Sequence, residues 1–162
     1  MKRTAALTAA LAIAATALPV PFAGASMSEA TFNHRANDIC SAAGTKIENL
    51  PATDQNNVAK QVPRIAAIVT SMAAKLSKIE APAPRKAKFK RFITLTRQST
   101  TLIGQGVAAA RAHHVNHSAD LLYKGIKASQ KSVTVATDID LTECARDRFP
   151  GLTGNTEPSA GN

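Results

Sequence analysis

The sequence predicts an all-α protein, an up-down-up-down four-helix bundle with one disulfide. Four segments between residues 26 and 149 have apolar residues spaced three and four apart, which is the spacing of amphipathic helices. Prolines interrupt the pattern between the first three segments. Two cysteines, Cys40 and Cys144, lie in the first segment and just after the last. Short connections between such helices favour the up-down-up-down arrangement.

The first segment has one continuous apolar stripe and is expected to end at Pro51. Steps of four and three residues are typical of a helix that packs on one face. The stripe consists of Phe32, Ala36, Ile39, Ala43, Ile47 and Leu50. Ser26, followed three residues later by Glu29, is typical of a capping box at the start of this helix.

The second segment has the heptad spacing of a helical seam, with Asp54 as a candidate N-cap. Its stripe consists of Val58, Val62, Ile65, Val69, Met72, Leu76 and Ile79. Pro63 lies inside the pattern, so we expect a kink or a new start of the helix near Val62. Pro82 and Pro84 end the segment.

The third segment extends from about Arg85 to Ala112. Its stripe consists of Phe89, Phe92, Ile93, Thr96, Thr100, Ile103, Val107 and Ala110. Gly104 and Gly106 each weaken a helix by roughly 1 kcal/mol relative to Ala. They indicate either the close approach of a neighbouring helix or a local break, and the sequence favours neither.

The fourth segment begins near Ser118 and leads to the second cysteine. Its stripe consists of Leu122, Ile126, Ser129, Val133 and Ala136. Residues 132–137 also alternate like a strand, but a single strand would have no sheet to join, so a helix is favoured. The following residues, 138–144, could extend back along the first helix to Cys40. Residues 150–162, rich in Gly, Pro, Ser, Thr and Asn, are expected to be a disordered tail.

The first 25 residues have the three parts of a secretory signal peptide. A basic start at residues 2–3 precedes an apolar run over residues 5–20 and small residues at 23–25. A membrane-spanning helix is the alternative, but the run has about 16 residues whereas a span needs roughly 20. We therefore expect cleavage after Ala25 and a secreted or periplasmic protein.

Charge and cysteine content indicate the partners and the compartment. The chain has 20 Lys and Arg against 11 Asp and Glu, a formal charge of +9, and +7 without Lys2 and Arg3 of the predicted signal. This charge favours anionic partners, although many exported proteins are basic without a specific partner. Two cysteines without CxxC spacing in an exported chain are expected to form one disulfide, which would contribute about 4 to 5 kcal/mol.

Short motifs support the same layout: ANDIC (36–40), KIENLP (46–51), APAP (81–84) followed by two phenylalanines, and ECA (143–145). With the signal, they make the chain resemble a group of secreted bacterial helical-bundle proteins with one cysteine pair. No activity is known for that group. The resemblance implies an all-helical fold tied by Cys40 and Cys144, and it implies no catalytic residue.

The densest basic stretch begins the third segment and is the first candidate site. It contains Arg85, Lys86, Lys88, Lys90 and Arg91. The pattern suits a core helix with a solvated rim, but also a surface that binds anions. Cations in the first turn oppose the helix dipole, and an anionic ligand would offset that effect. Envelope polymers and membrane surfaces are favoured over nucleic acid, because the chain has one Tyr and no Trp to stack on bases.

Three histidines form the second candidate site, His113, His114 and His117. On one helix His113 and His117 would face the same way, a spacing that suits Zn²⁺ or Cu²⁺. The stretch also falls where the third helix should turn into the fourth, and polar residues collect at such turns without a function.

The acidic residues near the second cysteine, Asp138, Asp140 and Glu143, are a weaker candidate. A calcium loop needs a longer set of ligands and a turn glycine, which this stretch lacks. The favoured interpretation is a solvated turn at the end of a helix, whose carboxylates pair with nearby basic residues.

No enzyme motif is present: the chain has no GxSxG, P-loop, paired Glu-x-x-His or CxxCH sequence. The sequence therefore predicts a non-enzymatic binding or interaction module without a cofactor, which contacts anionic envelope components through residues 85–91. The alternative is an extracytoplasmic metal-binding protein that uses the histidines. The sequence favours no oligomeric state.

Overall fold

A computed structural model describes residues 27–51 and 58–146. The predicted signal peptide (1–25), the predicted caps Ser26 and Asp54, and the predicted disordered tail (150–162) lie outside the described residues. None of the helices in the described residues combines the length and the apolarity that a membrane span requires.

Four long helices and one short helix make up the described chain. They are α1 (Glu29–Glu48), α2 (Val58–Leu76), α3 (Lys86–Arg111), α4 (Val115–Thr137) and α5 (Thr142–Ala145). Residues 27–51 and 58–146 contain no strand, so the helix predicted over residues 132–137 is confirmed. The all-α, four-helix fold is confirmed, whereas the full up-down-up-down order of directions stays a prediction.

The starts of the first two helices differ in detail from the sequence pattern. Ser28 caps α1, since its Oγ accepts a hydrogen bond from the Thr31 backbone N–H at 3.2 Å. This cap lies two residues after the predicted Ser26. Helix α2 continues through Pro63, so no new start occurs near Val62. Pro63 is only the sixth residue of α2, and its missing N–H therefore affects little more than the first turn.

Helices α3 and α4 are antiparallel and approach each other closely. A Cβ atom at Gly106 would lie 2.7 Å from Leu122 Cγ, and one at Gly125 would lie 2.7 Å from Ile103 Cγ1. Such distances exclude any side chain larger than hydrogen unless the neighbour moves. Gly106 therefore allows the close approach that was one of the two predicted alternatives, whereas Gly104 faces open space and α3 is broken at neither position.

This close approach moves the buried faces of both helices away from the predicted stripes. On α3, Gly106 and Ala109 are buried while Ala110 is exposed. On α4, the buried residues are mostly small, and Ile126 and Val133 are only half-buried. Periodicity selects large apolar residues, but two backbones in contact leave room only for small ones.

Hydroxyl groups line the α3–α4 interface. The buried polar residues are Thr96, Ser99, Thr100, Ser118, Ser129 and Ser132. Ser118 Oγ donates to the Gly106 carbonyl at 2.9 Å and so joins the two helices, and Thr96 and Thr100 bond to carbonyls of their own helix. Ser99 Oγ is buried without a hydrogen-bond partner among the described residues.

The core between the helices contains large apolar side chains and the disulfide. Phe32 of α1 packs edge-on against Phe89 of α3, with ring centroids 4.9 Å apart. The Sγ atoms of Cys40 and Cys144 lie 2.02 Å apart, which confirms the predicted bond between α1 and the segment after α4. Both cysteines are buried.

The sequence suggested that the segment between α4 and the second cysteine is extended. In the structure this segment instead forms a turn and is anchored by buried side chains. The Leu141 N–H donates to the Ala136 carbonyl and the Asp140 N–H to the Thr137 carbonyl, which is the pattern of a Schellman motif. Asp140 occupies its left-handed position, with φ of 57°. Ile139 and Leu141 are fully buried, and α5 then carries Cys144 to α1.

Candidate anion-binding site

Arg85 lies directly before α3 and joins three parts of the fold. Its guanidinium donates hydrogen bonds to Glu29 at 3.0 Å, to Asp140 at 2.9 Å, to Asn33 Oδ1 at 3.2 Å and to the Ile139 carbonyl. Its side chain is only 17% exposed. Since all these partners belong to the protein, Arg85 is a structural residue and is not available to a ligand.

The charged partners of Arg85 also determine its ionisation. Partial burial acts to lower the pKa of Arg85, but the hydrogen bonds and negative charges of Glu29 and Asp140 outweigh it. The pKa of Arg85 is therefore raised above its already high ordinary value, and the guanidinium is charged at every physiological pH.

Lys88 is also paired within the protein, although more loosely. Its Nζ lies 3.6 Å from Asp138 Oδ2, and both side chains are about half exposed. With the contact between Arg85 and Asp140, this pair brings the basic start of α3 against the acidic end of α4. The carboxylates of the predicted acidic turn do pair with nearby basic residues. They supply part of the negative charge that we expected from a ligand on the basis of the sequence.

Lys86, Lys90 and Arg91 complete the predicted basic cluster and are exposed. In the described part of the chain, none of the three forms an ion pair or a side-chain hydrogen bond. On α3 Lys86 and Lys90 are one turn apart and face residues 77–81, which follow α2, whereas Arg91 lies on the side of Lys88. The five predicted cations therefore divide into a paired set and an exposed set.

Lys86 and Lys90 line a groove between α3 and the segment that connects α2 to α3, which we name the α2–α3 groove. Its volume is about 320 Å³, and Arg97 is its third cation. The remaining lining residues are Ser77, Ile79, Glu80, Ala81, Phe89, Ile93 and Thr94. Three cations against one carboxylate make this a positively charged groove with an apolar floor.

Arg97 was not among the predicted site residues, although its spacing would have identified it. It follows Lys90 by seven residues, which is two helical turns, so both side chains lie on the same face of α3. The sequence analysis considered only the dense stretch up to Arg91. The helix face on which a cation lies, and not the density of cations in the sequence, determines which of them line the groove.

A second groove lies between α1 and α2 and is somewhat larger, at about 400 Å³. Its floor is apolar and includes Ile39, Ile68 and Met72. Only two cations, Lys46 and Lys75, line it, together with Asp38. This groove has one fewer cation than the α2–α3 groove and contains none of the predicted ones, so it is the weaker candidate for an anion.

Of the three histidines, His113 and His114 lie in the α3–α4 turn, whereas His117 lies in α4. The N–H of His114 donates to the Ala109 carbonyl and that of His113 to the Ala110 carbonyl, which is a Schellman motif. His113 has φ of 62° and ends α3, whereas His117 belongs to the first turn of α4. His113 and His117 are thus not on one helix, and the predicted shared face does not form.

A metal site would need several ligands at one place. In residues 27–51 and 58–146, no group of three or more His, Cys, Asp or Glu side chains is arranged to hold a metal ion. The described residues therefore give no support to the metal-binding alternative that used His113, His114 and His117.

Comparison with known proteins yields no match: no family model, no curated protein and no solved structure is detectably similar to this chain. The resemblance to secreted bacterial bundles thus finds no relative to support it. What the structure shows of that resemblance is the helical fold and the disulfide between Cys40 and Cys144.

Proposed function

We propose that the protein is an exported, non-enzymatic binding module that contacts an anionic component of the cell envelope through the exposed cations of α3. The observation that carries the proposal is the convergence of Lys86, Lys90 and Arg97 on one groove. Export is supported by the predicted signal peptide and by the disulfide, since disulfides persist in oxidising compartments.

The position of Lys86 favours an external anion. It is the first residue of α3, and the first turn of that helix has no acidic residue. A cation there opposes the helix dipole, at typically a few tenths of a kcal/mol. Arg85 and Lys88 are offset by carboxylates of the protein, whereas Lys86 has no such partner among the described residues. A bound phosphate or carboxylate would supply the missing negative charge.

The hydroxyl groups of the α2–α3 groove support a binding function over a catalytic one. Ser77 Oγ donates to the Ala74 carbonyl at 2.8 Å, and Thr94 Oγ1 donates to the Lys90 carbonyl at 3.0 Å. An activated serine or threonine would instead donate to a general base. No histidine lines this groove, so its described residues offer cations without a paired nucleophile.

A charge-matched pair of variants tests the proposal. Neutralising the groove cations (Lys86→Gln, Lys90→Gln, Arg97→Gln) is expected to abolish retention on anionic envelope material at low salt. The matched control neutralises three exposed cations of α4 (Lys124→Gln, Lys127→Gln, Lys131→Gln). Raising the salt should release the unmodified protein, because exposed charges are screened. Equal retention of both variants would contradict the proposal.

Arg85 is deliberately left intact in this design. Neutralising all five predicted cations would remove the four hydrogen bonds of its guanidinium, and a loss of binding would then report a damaged fold. The groove variant changes only exposed side chains, so its far-ultraviolet circular dichroism and its unfolding midpoint should match those of the unmodified protein.

A further inference from the structure

We infer that the α2–α3 groove binds an anionic phospholipid at a membrane surface, in preference to a polar wall polymer. This inference rests on the proposed function and names the partner of the same site.

The floor of the groove is the first argument. Ile79 is half-buried, and Ala81, Phe89 and Ile93 lie beneath the cations with little exposure. A polyanionic wall polymer is polar along its whole length, so it would gain from the cations and nothing from this floor. A phospholipid places a phosphate beside a glycerol and the first methylene groups of its chains, which matches cations beside apolar surface.

The distribution of charge around the groove is the second argument. Lys86, Lys90 and Arg97 lie on one helix face, one turn and then two turns apart, so they can follow the plane of a membrane surface together. Each Lys or Arg near an anionic surface contributes about 1 kcal/mol, which is roughly fivefold in partitioning. Three cations therefore contribute roughly a hundredfold at low salt, and Glu80 lowers this value.

The exposed apolar residues indicate how the protein would lie. In the described residues, the large apolar side chains that are well exposed are Val115 and Tyr123, and both belong to α4. Neither lines the α2–α3 groove. The contact would therefore be peripheral and reversible, with a lipid headgroup seated in the groove and no side chain inserted deeply into the bilayer.

Blocking the groove separates lipid binding from charge alone. Ser77→Trp would fill the α2–α3 groove and leave every cation in place, because Ser77 is an exposed lining residue. Ser71→Trp is the matched control, since Ser71 is also exposed but lines the α1–α2 groove. The full chain is tested by co-sedimentation with vesicles of phosphatidylcholine, with and without phosphatidylglycerol.

We expect the unmodified protein and the Ser71→Trp variant to bind only the vesicles that contain phosphatidylglycerol. The Ser77→Trp variant should bind these vesicles about tenfold more weakly, and the variant without the groove cations roughly a hundredfold more weakly. Poly-glutamate, an anion without an apolar part, should compete poorly. If Ser77→Trp binds like the unmodified protein, or poly-glutamate displaces it readily, the lipid inference fails while the proposed function stands. If removal of the groove cations changes nothing, both fail.

A measurement without a groove-blocking variant guards against a folding defect. On addition of short-chain phosphatidylglycerol, the methyl resonances of Ile79 and Ile93 should shift at concentrations that leave those of Ile39 and Ile68 in the α1–α2 groove unchanged. Shifts confined to the α1–α2 groove, or none at all, would overturn the inference.

Discussion

The two sides of the basic start of α3 have the same residue types but different surroundings. On the side of α1 and α4, Arg85 and Lys88 meet Glu29, Asp138 and Asp140. On the other side, which faces residues 77–81 after α2 and which we call the α2 side, the cations of the α2–α3 groove meet one carboxylate, Glu80, and an apolar floor.

A cluster of cations in a sequence can thus serve two purposes at once. The paired side holds the end of α4 and the start of α1 against α3, so its charges are part of the fold. The α2 side leaves its charges to solvent or to a partner.

The disulfide should contribute most, because it fixes the segment that carries the carboxylates of the paired side. Replacing both cysteines (Cys40→Ser and Cys144→Ser) is expected to lower the free energy of unfolding by about 4 to 5 kcal/mol, since the bond closes a loop of 104 residues. Guanidinium chloride denaturation measures the difference. A loss below about 1 kcal/mol would mean that the paired side holds itself together without the bond.

Arg85→Met should have the next largest effect, a loss of about 2 kcal/mol, because charge-assisted hydrogen bonds disappear and the Ile139 carbonyl loses its donor. Arg91→Met is the matched control on an exposed cation and should leave the unfolding midpoint unchanged. Because the pKa of Arg85 is raised in the folded state, the stability that its charge contributes is fully present below the pKa of the unfolded state. This stability is lost only as the pH rises through the pKa of the folded state. The difference between the two variants should therefore be constant across neutral and mildly alkaline pH.

Asp140→Asn should lower stability by at most about 1 kcal/mol, because the ion pair with Arg85 is largely exposed on the carboxylate side. Asn tolerates the left-handed conformation of this position, so the substitution removes the charge and keeps the turn. Thermal unfolding at low and high salt measures the loss, which should shrink with salt. A loss that is independent of salt would indicate that the Asp140 side chain stabilises the fold through something other than its charge.

Lys88→Gln on the paired side and Lys86→Gln on the α2 side should have the smallest effects on stability. Lys88→Gln should lower stability by no more than about 0.5 kcal/mol, because its pair with Asp138 is exposed. Lys86→Gln should leave stability unchanged or raise it slightly, since it removes a cation from the first turn of α3. Chemical denaturation of the two proteins in parallel gives the comparison. Equal losses would show that the α2 side is structural as well.

The sequence predicted the helices well because their periodicity depends only on local spacing. It predicted the disulfide because two cysteines in a chain that is expected to be exported leave little choice. It misplaced the buried faces of α3 and α4, because the approach of the two backbones at Gly106 and Gly125 is a tertiary event. Small residues are therefore buried at this interface, whereas a large residue such as Ile126 is only half-buried.

The candidate site was predicted less completely, for a related reason. The sequence listed cations by density, whereas the fold sorts them by the helix face they occupy and by the carboxylates they meet. Asp140 is distant from Arg85 along the chain, and only the turn after α4 brings them together. Arg97 was visible in principle, since its spacing from Lys90 needs nothing beyond helical geometry.

The bond between Cys40 and Cys144 encloses α2, α3 and α4 within one covalent ring. Cleavage of any single peptide bond inside that ring, for example beside His113 in the α3–α4 turn, would release no fragment. The product would be a two-chain molecule held by sulfur, separable only after reduction. A nicked sample would therefore have nearly the intact mass without reductant and two smaller masses with it.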